Sequence, residues 1–308
     1  MSEIKCPICS QSEVKVVRQR LSENDPVTVY ECSSCDLEFL SSWNDVEYVK
    51  SLYEGDKYVF THNAVETENI ELKFNEYDVR YKRVKPYLNK STSLLEIGCG
   101  DGLFLSKVRN DVALAEGIEL SPPQVEKVRS MGFTCYDEMV DELVPPRKYD
   151  VICMFAVLEH VPLVADFLQQ LKDYMHEKTH LIIEVPHRKN VLFNSYDVPT
   201  FRDFYYRAIH LYYFTSVSLT KVLKDAGFKV ETTTSQQASI TNHLHWMHNG
   251  KGQPNANYMT SVALPVGWRN EEGVAAILDE VDDLYRARLE EAGLGDLLTA
   301  HATLNIAS

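Results

Sequence analysis

The stretch Ser93–Arg109, SLLEIGCGDGLFLSKVR, sets an apolar run against a glycine-rich turn and then a second apolar run. Ser93 to Ile97 reads as a buried parallel strand, since such strands are apolar on both faces. Gly98, Gly100 and Gly102 then turn the chain tightly into a helix starting near Leu103, and their missing side chains let backbone amides approach a ligand. A dinucleotide fingerprint spaces its glycines as G-x-G-x-x-G, whereas here the pattern is G-x-G-x-G with an acidic residue, Glu96, two positions ahead. Downstream, VALAEGIEL forms a second strand ending at Glu119, 23 residues after Glu96. A carboxylate at that position can accept both hydroxyl protons of a ribose.

Outward from this core the chain alternates. Ser121 and Gln124 make an S-x-x-Q capping box, Pro122 sits at the first helical position, and Gly132 stops the helix. TCYD is a third strand and YDVICMF a fourth. Pro162 to Met175 reads as a helix with Val164, Phe167, Leu168, Leu171 and Met175 on one side, followed by the strand HLIIEVP. Another helix runs from Thr215 or Ser216 through Leu219, Val222 and Leu223 to Gly227, ahead of the strand FKVETT. Such alternation means a mostly parallel sheet that binds its ligand at the carboxyl ends of the strands.

LLEIGCGDG, GIELSPPQVEKVRSMGF, YDVICMFAVLEHV and LIIEVP, in this order, resemble the class I S-adenosylmethionine-dependent methyltransferase family over roughly residues 70 to 235. The resemblance implies an α/β fold, a Rossmann-like doubly wound, mostly parallel seven-stranded sheet. It also implies that Glu96, Gly98, Gly100 and Gly102 surround the methionine part of S-adenosyl-L-methionine and that Glu119 holds the ribose. Asp137 would reach the adenine amine, and Phe155 and Ala156 would flank the reacting end.

Methyl transfer needs an aligned acceptor and, for a hydroxyl, a group to take its proton. His160 in LEHV, His187 in EVPH and His210 in YYRAIHLYYFT lie on loops after the late strands. HLYYFTSVSLTKVLKDAGF is similar to the H-x-x-x-F-T segment of methyltransferases acting on sugars and glycans, which makes His210 the first choice as base. Tyr205, Tyr206 and Glu184 are further candidates. A methyltransferase with an N-terminal zinc ribbon also resembles the deoxysugar C-methyltransferases, but YYRAIH departs from their Y-x-E-H pattern. Oxygen therefore leads as the methylated atom, ahead of nitrogen and carbon. The expected partner is a small sugar-type acceptor, nucleotide-linked or in a glycan.

The ribbon rests on Cys6, Cys9, Cys32 and Cys35, two C-x-x-C pairs flanking the β-rich stretches VKVVRQR and PVTVYEC. This pattern predicts a structural zinc ion held by four thiolates. Cys99, Cys135 and Cys153 stand apart in apolar surroundings. Residues 1–42 form the ribbon and 43–90 an aromatic connector, with Tyr53 and Tyr58 as possible pocket residues and an amphipathic helix carrying Phe74, Tyr77, Tyr81, Val84 and Leu88. Residues 91–265 form the cofactor-binding domain, with an insert at 234–257 that reads as a substrate-facing lid or packed insert ahead of metal binding by His243, His245 and His248, whose spacing would suit a β-then-turn geometry. Residues 266–308 read as a helical tail with Val274, Ile277, Leu278, Val281 and Tyr285 as its apolar stripe, docking on the core or pairing two copies as a homodimer.

The 308 residues, 44% hydrophobic and 25% charged, suffice for a large core. A formal charge of −14 disfavours a phosphate backbone as partner, and residues 1–42 carry four basic against seven acidic side chains. A zinc-ribbon RNA methyltransferase and a non-catalytic cofactor-binding scaffold are the alternatives. The absence of a membrane-length apolar run and of a signal-peptide pattern makes a cytoplasmic location the expectation.

Overall fold

The computed structural model describes residues 4–21, 26–48, 51, 70–144, 147–253 and 272–306. Tyr53 and Tyr58, and the side chains of Phe74 and Val274, lie outside the described residues.

Three antiparallel strands open the chain: β1 (Val14–Arg18), β2 (Val29–Cys32) and β3 (Leu37–Leu40). The third had no expectation attached, because LEFL is too short to show a period. Helix α1 (Ile70–Val84) follows, with Tyr77 and Tyr81 packed on the core and Val84 fully buried. A single 3-10 turn, Lys85–Tyr87, ends it at the position expected from Pro86.

Strand β4 (Ser93–Ile97) is the anchor of the second sheet, and four of its five residues are buried. After it come α2 (Leu103–Val108), β5 (Leu114–Ile118), α3 (Pro122–Ser130), β6 (Thr134–Tyr136) and β7 (Tyr149–Phe155). The chain continues through α4 (Val164–Gln170) and β8 (Met175–Pro186) to α5 (Val191–Asn194), α6 (Pro199–Tyr205) and β9 (Tyr212–Tyr213). The last elements are α7 (Ser216–Asp225), β10 (Phe228–Ser235), α8 (Ile240–Asn249), α9 (Glu272–Glu291) and β11 (Leu297–Leu304). The sheet order is β10-β11-β8-β7-β4-β5-β6, parallel from β8 to β6 and antiparallel around β11. Chain order reverses on either side of β4, so the ligand crevice opens at its carboxyl end. This is the doubly wound, seven-stranded arrangement expected.

Several local expectations need correction. Ser121 occupies the N-cap of α3 with Pro122 behind it, but its side chain makes no capping hydrogen bond. The helix expected over Pro162 to Met175 shortens to α4 and a 3-10 turn, because Met175 starts the long strand β8.

The stretch from 266 onward is not only helical, since β11 threads between β8 and β10. LLTAHATL is rich in helix formers and hides its strand character. Gly293 at φ 68° stops α9, and Gly295 passes so close to Ser235 that a Cβ would stand 2.6 Å from its carbonyl oxygen. Of the two arrangements expected for the apolar stripe of α9, docking on the core does not hold for Ile277 and Val281, which face outward, 61% and 43% exposed, while Asp282 and Leu289 are buried. Asp282 is drawn inward because its carboxylate accepts from Ile240 N at 2.6 Å and from Arg286 Nε at 2.7 Å.

The histidine-rich insert is likewise a helix, α8, capped by Ser239. Residues at i, i+2 and i+5 of a helix diverge. His243 is buried against Tyr285 Oη at 2.7 Å, while His245 bonds the Lys251 carbonyl.

Candidate active site

The turn after β4 depends on glycine. Gly98 and Gly102 have φ of 71° and 75°, and a Cβ on Gly98 would meet Val157 Cγ2 at 2.4 Å. The amides of Gly98 and Cys99 both donate to Ile118 O, at 2.8 and 3.0 Å, which fastens the loop to the end of β5. One residue further, Glu119 accepts from the backbone amides of Gly100 (2.9 Å), Leu120 (2.9 Å) and Ser121 (2.8 Å). Burial raises its pKa, and these three bonds oppose the rise.

Glu96 is buried beneath the same loop, and its Oε2 accepts no hydrogen bond. Desolvation pushes its carboxyl well above the usual range, with Arg80 pulling the other way and Asp101 and Glu119 adding to the rise. A glycine cradle, an orphaned carboxyl oxygen and a carboxylate at the tip of β5 fit a ligand that presents an ammonium group and a diol. S-adenosyl-L-methionine carries both.

The remaining cofactor-side residues behave differently. Asp137 follows β6, is exposed, and pairs with Arg129 at 2.9 Å, whose hydrogen bond lowers its pKa. The Phe155 ring turns into the core, edge-on to Phe104 at 4.9 Å and under the Arg80 guanidinium at 4.8 Å. Ala156 takes up a left-handed conformation, φ 55°, with its amide bonded to Glu184 O.

Strand β7 leads into a 3-10 turn, Leu158–His160. The turn brings Glu159 and His160 beside His210, with the ligating atoms of all three within 4.8 Å of one another. The two imidazoles meet nearly edge to face, centroids 4.8 Å apart. His160 Nδ1 lies 2.8 Å from Ile209 O, and Leu211 N donates to Glu159 O, so the turn and the His210 loop hold each other. Glu159 is 1% exposed, neither carboxyl oxygen accepts a hydrogen bond, and burial lifts its pKa to about 8. His187 stands elsewhere: buried, with Nδ1 donating to Gly295 O, it is pushed down to about 4 by desolvation.

Comparison with known proteins decides the family. A family model described as a methyltransferase domain matches residues 71–233, more than half of the chain. The chain belongs to the class I S-adenosylmethionine-dependent methyltransferase family. A methyltransferase of Archaeoglobus fulgidus described as S-adenosylmethionine-dependent shares the fold at 16% identity and a TM-score of 0.52, over 81% of this chain and all of that one. The plantazolicin methyltransferase BpumL also superposes at a TM-score of 0.52 and 16% identity, over 85% of this chain and 97% of that one. In sequence, the chain is 28% identical to a tRNA U34 carboxymethyltransferase of Tolumonas auensis over 192 residues, 56% of each chain. It is 30% identical to a ubiquinone biosynthesis O-methyltransferase of Klebsiella pneumoniae over 77 residues, 22% of this chain and 32% of that one. The match thus spans about half of the first relative and a third of the second.

The four N-terminal cysteines converge. Cys6 Sγ and Cys35 Sγ are 3.5 Å apart, as are Cys9 Sγ and Cys32 Sγ, and none is in a disulfide. Four thiolates around a tetrahedral zinc at ~2.3 Å would be separated by about 3.8 Å, so the set fits that ion. A hydrogen bond from Cys35 lowers Cys6 to about 5 and pushes Cys35 up.

The ribbon is continuous with the loop that carries His210. Strand β3 pairs with β9, Glu38 opposite Tyr213 and Phe39 opposite Tyr212. Glu38 is buried, paired with Arg188 at 2.5 Å and accepting from Tyr206 Oη at 2.8 Å. Tyr206 thus binds the ribbon, and the Tyr205 hydroxyl is buried without a partner.

Glu184 is held by Arg80 at 2.8 Å and by Arg83; burial raises its pKa, but the two guanidiniums bring it below the usual value. Sequence reasoning missed Glu159, Arg80 and Arg83. Their signals were present: an acid directly before His160, and two arginines three apart on an amphipathic helix. Among the described residues, no helix is long and apolar enough to cross a membrane.

Proposed function

We propose that this methyltransferase methylates a hydroxyl of a small polar acceptor, a sugar in nucleotide-linked or glycan form. The observation that carries the reading is the Glu159–His160–His210 group at the carboxyl end of β7, beside the glycine loop that follows β4. S-adenosyl-L-methionine would supply the activated methyl group on its sulfonium. Glu96 and Glu119 would bind its polar ends, and the packed Phe155 and Phe104 would keep water from beneath the loop. His210 would activate the acceptor hydroxyl, with His160 fixing its ring. The strand pair β3–β9 would brace that loop, zinc in the four-cysteine site keeping the ribbon folded.

A second reading, methylation or related modification of RNA, is favoured by the tRNA-acting relative and opposed by the acidic charge of the chain. Calorimetric titration with S-adenosylmethionine and S-adenosylhomocysteine tests the cofactor, with micromolar binding of both expected. Mass-spectrometric methyl-transfer assays on nucleotide sugars and on total tRNA then separate the readings. Methylated tRNA with unmodified sugars would overturn the first. Failure to bind either cofactor form would favour a non-catalytic scaffold.

A further inference from the structure

We propose that the outward face of α9 is the contact between two copies of this chain, with the two helices running antiparallel about a two-fold axis at Leu284. The inference is independent of the acceptor and of the reaction.

The opposite face of α9 is committed to the rest of its own chain. Asp282 accepts from the Ile240 amide at 2.6 Å, Tyr285 Oη lies 2.7 Å from His243 Nδ1, Arg286 donates to Gln237 O at 2.6 Å, and Leu289 is buried. At 100° per residue these four positions lie on average about 150° around the helix from Leu284, which is 57% exposed. Val281 and Ile277, one and two turns earlier, share the exposed side with it. The polar contacts fix the rotation of the helix, so the aliphatic stripe has no route to the core of its own chain. Three large aliphatic side chains in line on one helix face mark an interaction surface rather than scattered surface residues.

The charges beside the stripe select a second copy and its direction. Glu280 is exposed and, among the described residues, makes no ion pair. Arg288 pairs with Glu291 at 2.5 Å, but their side chains are 70% and 63% exposed, and a pair so open to water holds its arginine weakly. Glu280 and Arg288 lie four residues to either side of Leu284 and within about 40° of it around the helix. In an antiparallel pair centred on Leu284, Glu280 of each copy therefore stands level with Arg288 of the other. Val281 comes level with Ala287, and Leu284 meets its own copy.

The alternatives set like charges together. A shift that stacked Ile277 on Leu284 of the second copy would bring the two Glu280 carboxylates face to face at the axis. A parallel pair would leave Glu280 and Arg288 about 12 Å apart along the helices. Charge thus chooses the register, while the aliphatic seam supplies the attraction. Because both chains use the same patch, the assembly closes at two copies. The seam from Ile277 to Glu291 runs about 21 Å, and one helix pair covers less than the roughly 800 Å² per partner of a standard interface, so dissociation in the micromolar range is expected.

The test is sedimentation velocity on the full, zinc-loaded chain at physiological ionic strength, where the charge of −14 on each copy is screened beyond about 8 Å. Over roughly 1 to 200 µM the mean mass should rise from that of one chain toward that of two. Leu284→Glu should weaken association at least about tenfold, with far-ultraviolet circular dichroism unchanged because the position is exposed. Glu280→Arg and Arg288→Glu should each weaken it too, since each sets like charges level. An equimolar mixture of these two variants, or both changes in one chain, should recover association to within about threefold of wild type. A wild-type chain that stays monomeric, whatever else then covers the face, would overturn the proposal. So would undiminished association of Leu284→Glu, or a mixture that stays apart while each charge variant alone is weakened.

Discussion

Glu119 ties the glycine loop to the end of β5 through the Gly100 amide, while its other oxygen holds the amides of Leu120 and Ser121 ahead of α3, so it serves the loop as well as any ligand. Replacing it with alanine removes a charge-assisted acceptor for a ribose and should weaken S-adenosylmethionine by about 1 to 3 kcal/mol, read by calorimetry; unchanged affinity would exclude it from the site. His210→Ala should lower turnover roughly 100-fold while cofactor affinity is kept. Equal turnover would reduce His210 to a brace for its loop. The placement of Glu96 and Glu119 around the glycine loop was legible in the sequence because each sits near a strand end next to glycines, where the chain's period changes. Glu159 was not: the sequence shows an acid beside a histidine, but the orphaning of its oxygens is a property of the packed turn alone.

At the scale of elements, the ribbon and the late strand β9 form one four-stranded sheet. Cys32 is fully buried in its centre, at the end of β2. Cys32→Ser should release zinc, measured by metal analysis, and lower the melting temperature while S-adenosylmethionine still binds. Unchanged melting with no metal in the wild-type chain would remove the ion from the account. The C-x-x-C pairs predicted this knot correctly from spacing, as did the strand-helix alternation for most of the large sheet. What spacing could not reveal was pairing across distance: β3 with β9, and β11 with β8, are set by tertiary packing that no local period records. The same limit applies to α9, where the Asp282–Arg286 pair and the Ile240 amide set which face turns to the core, a choice the apolar stripe left open between docking and pairing of copies.

Over the whole molecule, buried titratable groups make stability depend on pH, and His187 offers a clean measurement. Its folded pKa is about 4, below the ordinary histidine value, so between those two values the unfolded chain binds a proton that the folded chain does not. The stability His187 allows is therefore complete above about pH 6.5 and declines as pH falls toward 4. Comparing wild type with His187→Gln, which keeps a donor toward Gly295 O, isolates this group from other buried ones. The stability difference between the two should shift by roughly 3 kcal/mol in favour of the variant between pH 7 and pH 4, measured by urea unfolding. A constant difference would mean that the ring titrates in the folded chain as it does in the unfolded one.

The shared sheet also bears on how the chain is made. As it leaves the ribosome, β1 to β3 emerge early, yet the strand that covers the open edge of β3 comes only after most of the large sheet has been synthesised. Until then, β3 has an unpaired edge, the kind of surface to which stray strands add. A nascent chain stalled before Tyr212 would be sticky along β3 rather than near the point of the stall.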